Sequence, residues 1–441
     1  MGGGRAAHPP CLVSLVSALL LLLLLLLAPM PLLVVGDSPL AAAIVASSSS
    51  TTITAATTTT ASQRRRPRTF LITGSTDGIG RHTSRRLAAD GHALIVHGRA
   101  DPTSDAAVTS LLRDLVDLGA SRVAYLRADL GDLDQVAGLA SDVVSTLRSW
   151  QTPPPPGEEE EEEEDDDDDR GVTIPASGGV SSGPPMKTPS LDCLINNAGV
   201  FDPIPRISAR GYDATMTINV LAPFVLTRLL LPCLVRGNEP RIITTSSVSQ
   251  SRTMPNLNSL FARRIFDNER REENDDGGKT RDDDRRYDFE PLSPYSAHSL
   301  YSHSKLGNLL FTVQLARVLS NYDPRGEEGV PTSRSSTSSS HLLNNLRRIQ
   351  CLTMDPGTVN TKMLLAGWGP CGISINDANN TYKLATMDEY AYGAKGARSG
   401  SYHFGWGMSQ DANDDGKLVD FWNKMTECTG VRYDDLSRDC L

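Results

Sequence analysis

The sequence predicts an α/β fold: a doubly wound parallel sheet with helices on both faces, in a single domain that carries low-complexity inserts. Three observations predict it. Short apolar runs rich in β-branched residues alternate six times with segments of helical period. The first run passes directly into a glycine-rich turn and then a helix. Several runs end in small or polar residues, as strands do where a ligand crevice opens at their carboxyl ends.

Taken in order, residues 69–73 form the first strand, and Gly74-Ser75-Thr76-Asp77-Gly78-Ile79-Gly80 forms the turn. Glycines there allow a tight bend and let backbone N–H groups reach a pyrophosphate at the positive end of the following helix. This is the start of a Rossmann-type unit. Residues 92–97 form the second strand, which ends at Gly98-Arg99. An acid at that point would bind a ribose 2′-hydroxyl, whereas an arginine accommodates a 2′-phosphate, so Arg99 favours NADP(H) over NAD(H). Residues 104–118 read as an amphipathic helix and 122–126 as the third strand, closed by Asp129 and Leu130. Asp129 is placed either to bond an adenine edge or to cap the helix at 133–147. Residues 191–195 are the fourth strand, followed at once by Asn196-Asn197-Ala198-Gly199. In the next helix Asn219 is a polar residue on an apolar face and needs a hydrogen bond if buried. Residues 241–245 form the fifth strand, ending at Ser246-Ser247, and 349–354 the sixth, ending at Asp355-Pro356-Gly357-Thr358-Val359-Asn360-Thr361. Residues 362–395, with Met363, Leu364, Leu365 and Trp368, read as a lid over an apolar substrate. Residues 418–428 read as a late helix with Trp422 facing inward.

The chemistry centres on Tyr301-Ser-His-Ser-Lys305, at the head of a helical segment. Residues four apart share a helix face, so the hydroxyl of Tyr301 and the ammonium of Lys305 can enter one site. A free phenol titrates near ~10, and a cation beside it favours the phenolate. Tyr301 is thereby a candidate acid/base for an alcohol or carbonyl oxygen.

Together these motifs resemble the short-chain dehydrogenase/reductase superfamily. Residues 73–80 match its Thr-Gly-x-x-x-Gly-x-Gly motif, 196–199 its Asn-Asn-Ala-Gly, and Pro356-Gly357 its Pro-Gly after the sixth strand. Asn219, Ser247, Tyr301 and Lys305 match its four catalytic positions, and the residues around Tyr301 look most like the retinol-dehydrogenase-like group. The resemblance implies that Tyr301 moves the proton while Ser247 bonds the same substrate oxygen. Lys305 would lower the Tyr301 pKa and bind the nicotinamide ribose, and Asn219 would hold a water linking Lys305 to solvent. Ser246 is the rival for the serine role; the apolar Val248 that follows favours Ser247. The implied cofactor contacts are Gly74, Ser75, Thr76, Asp77, Gly78, Ile79, Gly80, Arg99, Asp129, Leu130, Asn196, Ala198, Gly199, Tyr301, Lys305, Pro356, Gly357, Val359 and Thr361. The implied activity is an NADP(H)-dependent exchange of alcohol and carbonyl on a small hydrophobic substrate such as a retinoid, steroid or lipid aldehyde. A homodimer is compatible with it, and no metal is expected. A protochlorophyllide-reductase-like plastid enzyme and a non-catalytic NADP(H)-binding scaffold are the alternatives.

Composition and the chain ends set the surroundings. Twelve contiguous acids at 158–169 more than account for the formal charge of −10. The acidity therefore belongs to an insert and says little about a partner. No basic stripe with interleaved aromatics suggests nucleic acid, and the seven cysteines lack metal spacing. Residues 1–36 read as a signal or anchor, with unbroken leucine at 19–27. Residues 37–67 read as a Ser/Thr/Arg-rich stalk or transit-like linker. The catalytic domain is expected over 68–430, with disordered inserts near 151–190, 263–290 and 323–341, and a tail at 431–441. The leader favours membrane attachment by an N-terminal anchor; the need for NADPH and the resemblance to retinol dehydrogenases imply the endoplasmic reticulum, with a secretory lumen or a plastid as alternatives.

Overall fold

The computed structural model describes residues 66–151, 188–263, 296–322, 344–387, 399–434 and Leu436. The expected anchor, all but the last two residues of the expected linker, and nearly all of the three expected inserts lie outside them.

The strands are β1 (Thr69–Ile72), β2 (Ala93–Gly98), β3 (Arg122–Arg127), β4 (Cys193–Asn196), β5 (Arg241–Thr245), β6 (Gln350–Met354) and β7 (Ser401–His403). They form one sheet in the order β3-β2-β1-β4-β5-β6-β7. Every neighbouring pair is parallel. The order reverses between β1 and β4, and at such a point the loops at the carboxyl ends part to leave a crevice. The seventh strand was not expected. It is three residues long among glycines and serines, so it carries almost no periodic signal, and its pairing with β6 defines it.

Both sheet faces are covered, which is why the strands read as continuous apolar runs. On one face Leu71, Ile95, Leu194 and Ile242 join a core with α3 (Leu133–Gln151), α4 (Ala214–Leu234), α6 (Ala297–Asn321) and α9 (Asp415–Thr429). On the other, Phe70, Ile72, Leu94, Val96, Ile195 and Ile243 pack with α1 (Gly78–Ala89), α2 (Ala106–Asp117) and α8 (Asn380–Thr386). The short helices α5 (Leu257–Leu260) and α7 (Lys362–Gly367) lie in the loops after β5 and β6. Among the described residues α4 is long and apolar enough to cross a membrane, but it is mostly buried in the protein core.

Two features fix the site's surroundings. Arg68 and Arg241, both buried, donate to the carbonyls of Leu384, Ala385 and Met387 at the end of α8. That clamp holds the far end of the segment that leaves β6. The tail expected from 431 instead begins inside the core. Tyr433 is buried and donates its hydroxyl to the Phe224 carbonyl at 2.7 Å, and Leu436 is buried as well.

Candidate active site

A cleft of about 400 Å³ opens at the carboxyl ends of β1, β2 and β4, a size suited to a small-molecule ligand. Its floor is the glycine turn. Gly74 adopts φ +64°, and a Cβ there would lie 2.8 Å from the Ala198 Cα; one on Gly80 would lie 2.3 Å from the Gly74 carbonyl oxygen. Neither position has room for a side chain. Asp77 caps α1 by accepting from the Gly78 N–H.

Two side chains pin the turn to its neighbours. Asn197 donates through Nδ2 to the Thr73 and Gly74 carbonyls at 2.9 and 3.1 Å. The buried His97 accepts from the Gly74 N–H at Nδ1 and bonds the Ala128 carbonyl through Nε2 at 3.1 Å, so the proton sits on Nε2. Burial lowers the His97 pKa to about 4, which keeps it neutral at physiological pH. Arg99 lines the same cleft at the end of β2. Asp129 lines it too, and its carboxylate accepts from the Gly131 N–H at 2.9 Å. At the head of α3 it is Asp132, not Asp129, that accepts from the first-turn Asp134 N–H.

The other wall is α6, capped at its start by Ser296. Tyr301 and Lys305 both line the cleft from it. Lys305 is 2 % exposed, and its ammonium donates to the Thr245 carbonyl at 3.1 Å. Burial lowers its pKa to about 8. The Tyr301 phenol is pushed up, first by burial and then by the carboxylate of Asp355. That reverses the expected shift. The Lys305 nitrogen sits 5.4 Å from the Tyr301 ring centroid and is engaged with Thr245, so desolvation wins. Asp355 is itself raised by burial.

The two serines separate cleanly. Ser246 is wholly buried and donates to the Lys305 carbonyl at 2.7 Å, holding α6 to β5. Ser247 is half-buried and caps the short turn Val248–Ser251. Asn219 lies in a π-helical turn, Thr217–Leu221, within α4, the type of distortion that recurs at functional sites. Its Nδ2 donates to the Val200 carbonyl and the Ser304 hydroxyl, and its Oδ1 accepts from the Val200 N–H. Both amide donors are therefore used, which leaves the expected water only the second lone pair of Oδ1.

The segment after β6 roofs the site. Thr361 caps α7, and Gly78 closes on the Thr361 methyl at a Cβ distance of 3.3 Å. Lys362 bridges to Asp77 at 2.7 Å across the mouth of the cleft. Phe201, His298 and Trp368 gather around Tyr301, with Trp368 and Phe201 centroids 5.5 and 6.0 Å from the phenol ring.

Of the expected cofactor contacts, Gly74, Thr76, Asp77, Gly78, Ile79, Gly80, Arg99, Asp129, Leu130, Ala198, Gly199, Pro356 and Thr361 line the cleft with Tyr301 and Lys305. Ser75 lies behind it, bonded to the Ile72 and His97 carbonyls. Asn196 is buried on the far side, where it donates to Thr227. Asn219, Ser247, Gly357 and Val359 also stand outside the lining. His97, Asn197, Val200, Ile218, Thr245 and Lys362 line it without having been expected there, and Met363 of the expected lid lines it too. Strand alternation could have found one of them: Asn196 shares the face of Leu194 and so points toward α4, which leaves Asn197 to turn toward the glycines.

A short chain dehydrogenase family model matches residues 185–259, and a KR domain model matches residues 68–149. Mouse polyprenol dehydrogenase is 26% identical over 68% of this chain and 63% of its own length. The dehydrogenase/reductase SDR family member FEY of Arabidopsis thaliana is 30% identical over 42% of this chain and 39% of its own. A short chain dehydrogenase from Burkholderia cenocepacia, solved in complex with NADP, is 19% identical with a TM-score of 0.44, covering 79% of this chain and 98% of that one. The chain thus spans less than two thirds of the length of these two curated relatives. The two family matches fall on the two halves of one parallel sheet, on either side of the crevice where Tyr301 meets the glycine turn, and the chain belongs to the short-chain dehydrogenase/reductase superfamily.

Proposed function

We propose that the chain is an NADP(H)-dependent oxidoreductase that interconverts an alcohol and a carbonyl on a hydrophobic substrate, with Tyr301 as the acid/base. The observation that carries this reading is the meeting of Tyr301, Lys305 and the glycine turn in one cleft.

The cofactor's fit rests on the cleft's own features. The floor is bare backbone at Gly74 and Gly80, the N-terminal end of α1 faces the space, and Arg99 lines it at the end of β2, where an arginine would accommodate a 2′-phosphate. When bound, the nicotinamide supplies or accepts the hydride. Tyr301 holds the proton for the substrate oxygen, and its raised pKa keeps it protonated at neutral pH, the form needed to reduce a carbonyl. Ser247, half-buried just after β5, would bond the same oxygen. Lys305 contributes a desolvated cation beneath the ribose end of the cleft. Gly199 leaves room for that ammonium, since a Cβ there would be 3.3 Å from Nζ.

The aromatic roof of Phe201 and Trp368 suits an apolar substrate of the retinoid, steroid or lipid-aldehyde class. Similarity to a protein named polyprenol dehydrogenase points the same way. The leucine run at 19–27 supports membrane attachment, with the endoplasmic reticulum as the proposed site. NADPH oxidation measured over panels of retinal, steroid ketone, long-chain aldehyde and quinone tests the reading. Turnover of at least one apolar carbonyl that disappears in Tyr301→Phe is the expected result. Binding of NADPH without turnover of any panel member would instead favour a cofactor-binding scaffold.

A further inference from the structure

We infer that the loop 404–408, Phe-Gly-Trp-Gly-Met, docks on a phospholipid interface and seats the substrate side of the sheet against it. The inference rests on the proposed reading of the chain as a membrane-attached enzyme for its setting, but lipid contact by the loop can be measured without turnover.

Trp406 is 95 % exposed, the highest value for a large apolar side chain among the described residues, with Phe404 at 42 % and Met408 at 40 % beside it. This exposure is built in. The buried Gln250 donates to the Gly407 carbonyl at 2.6 Å and accepts from the Ser409 N–H at 2.9 Å, and the Ser409 hydroxyl donates to the Arg252 carbonyl. Gly405 lies so close to the Tyr402 ring that a Cβ would be 2.1 Å from it. Phe404 adopts φ +61°, a conformation costly for a bulky residue. A strained, clamped loop that holds a tryptophan in water implies a partner for the tryptophan.

The loop's position ties it to the site. It leaves β7, which runs parallel to β6, so it emerges at the same carboxyl edge as the cleft. The His403 carbonyl just before it accepts from Asp355, the neighbour of the cleft-lining Pro356. Gln250, its clamp, lies three residues after Ser247.

The chemistry of the partner follows from what surrounds the tryptophan. Residues 399–410 contain no carboxylate. The first acid, Asp411, is buried and paired with Lys417, while Arg252 is exposed beside the loop. A Trp-Phe-Met tip without acids and next to a cation suits the headgroup level of an anionic bilayer, where aromatic rings with one polar edge settle. Three side chains fall well short of the ~800 Å² per partner of a stable protein interface. Such a tip is a weak anchor by itself, and stable attachment takes a second signal. The apolar run at 19–27 can supply it, leaving the loop to set orientation.

The test uses the full chain reconstituted in phosphatidylcholine/phosphatidylserine vesicles, alongside Trp406→Phe, which removes that fluorophore and keeps the apolar surface. The wild-type-minus-variant signal isolates Trp406 from the other three tryptophans. The expected result is that this signal is quenched when the vesicles carry brominated acyl chains and becomes several-fold less accessible to acrylamide. A Trp406 signal that brominated lipid leaves unquenched, in protein that floats with the vesicles, overturns the proposal. So does concentration-dependent protection of Trp406 in lipid-free detergent solution, which would assign the loop to a second copy of the chain. A functional arm uses Trp406→Ser, whose melting temperature should match wild type at so exposed a site. Its KM for a long-chain, membrane-partitioned alcohol should rise several-fold, with kcat unchanged and a short water-soluble alcohol unaffected. An equal rise for both alcohols would count against docking. Quenching without turnover would uphold the loop's role and remove the oxidoreductase reading alone.

Discussion

The two walls of the cleft are built on opposite principles. The glycine-turn wall is backbone: Gly74 and Gly80 carry no side chains, and Asn197 and His97 hold the main chain in place. The α6 wall is side chain: the buried Lys305 and the half-buried Tyr301 stand together on it, and desolvation shifts the titration of both. The first wall has no steric tolerance but little electrostatic cost. The second tolerates shape changes but holds a desolvated cation, which opposes folding. Changes on the two walls should therefore fail differently, in binding on one side and in chemistry on the other.

The largest effect is expected from Tyr301→Phe. It removes the transferable proton and nothing else, so kcat on any active carbonyl should fall by about 10²–10⁴-fold, with NADPH affinity nearly unchanged. Parallel steady-state and binding titrations check this. A matched fall in both would erase the distinction between the walls.

Lys305→Met should show the cost of the second wall directly. Turnover should be lost, yet the protein should become more stable near pH 7. The wild-type ammonium is buried with its pKa at about 8 against 10.5 for the free side chain, a penalty of up to about 3 kcal/mol. The Thr245 carbonyl keeps the Asn308 amide as a partner at 3.0 Å. Between pH 8 and 10.5 the unfolded lysine retains a proton that the folded one has released, so wild-type stability climbs relative to the variant. Melting curves from pH 7 to pH 10 should show the gap narrowing.

On the backbone wall, Gly80→Ala should destabilise the apoprotein by about 1–3 kcal/mol. The added methyl would meet the Gly74 carbonyl and the Asn197 amide. NADPH affinity should fall with it, while any residual bound fraction should turn over at a near-normal rate. Denaturant titration and single-turnover kinetics separate the two.

These contrasts also explain what was legible in the sequence. The backbone wall is written in residue types, because glycine spacing and strand-end position are local, and most of its residues could be named in advance. Asn196 was expected there in place of Asn197 because the motif marks the pair without saying which amide turns which way; strand pleat decides that. The α6 wall showed Tyr301 and Lys305 by their i, i+4 spacing but hid the sign of the Tyr301 shift. That sign is set first by the burial of the phenol and then by Asp355, which is 54 residues away in sequence and reaches the site through β6. Of the aromatic roof only Trp368 was expected, as part of the lid; Phe201 and His298 come from two other segments and were hidden. β7 escaped because three residues carry no period.

Arg99→Asp sharpens the comparison at the outer end of the backbone wall. Replacing a cation by a carboxylate where a 2′-phosphate would lie should cost NADPH about tenfold or more in affinity. NADH should be little affected. Equal wild-type affinities for the two cofactors would remove Arg99 from that role.

The smallest effect is expected where the two walls meet the lid, at Asp77 and Lys362. Their bridge of 2.7 Å looks strong, but the side chains are 57 % and 88 % exposed, and water screens pairs of that kind almost completely. Asp77 already has a structural task in capping α1, so the bridge adds little to the turn itself. Lys362→Ala should then change NADPH affinity by no more than about twofold, since an exposed pair contributes so little at equilibrium. The bridge still spans the mouth of the cleft, so its loss should act on exchange: dissociation should quicken with association quickening in step. Stopped-flow binding at low and high salt distinguishes this strap from the other role open to a lysine over a dinucleotide cleft, which is direct contact with phosphate. A strap gives the variant and wild type nearly the same salt dependence of affinity, because the lysine trades one exposed partner for water. A phosphate contact gives a large affinity loss that shrinks as salt rises, and would place Lys362 on the backbone wall rather than on the lid.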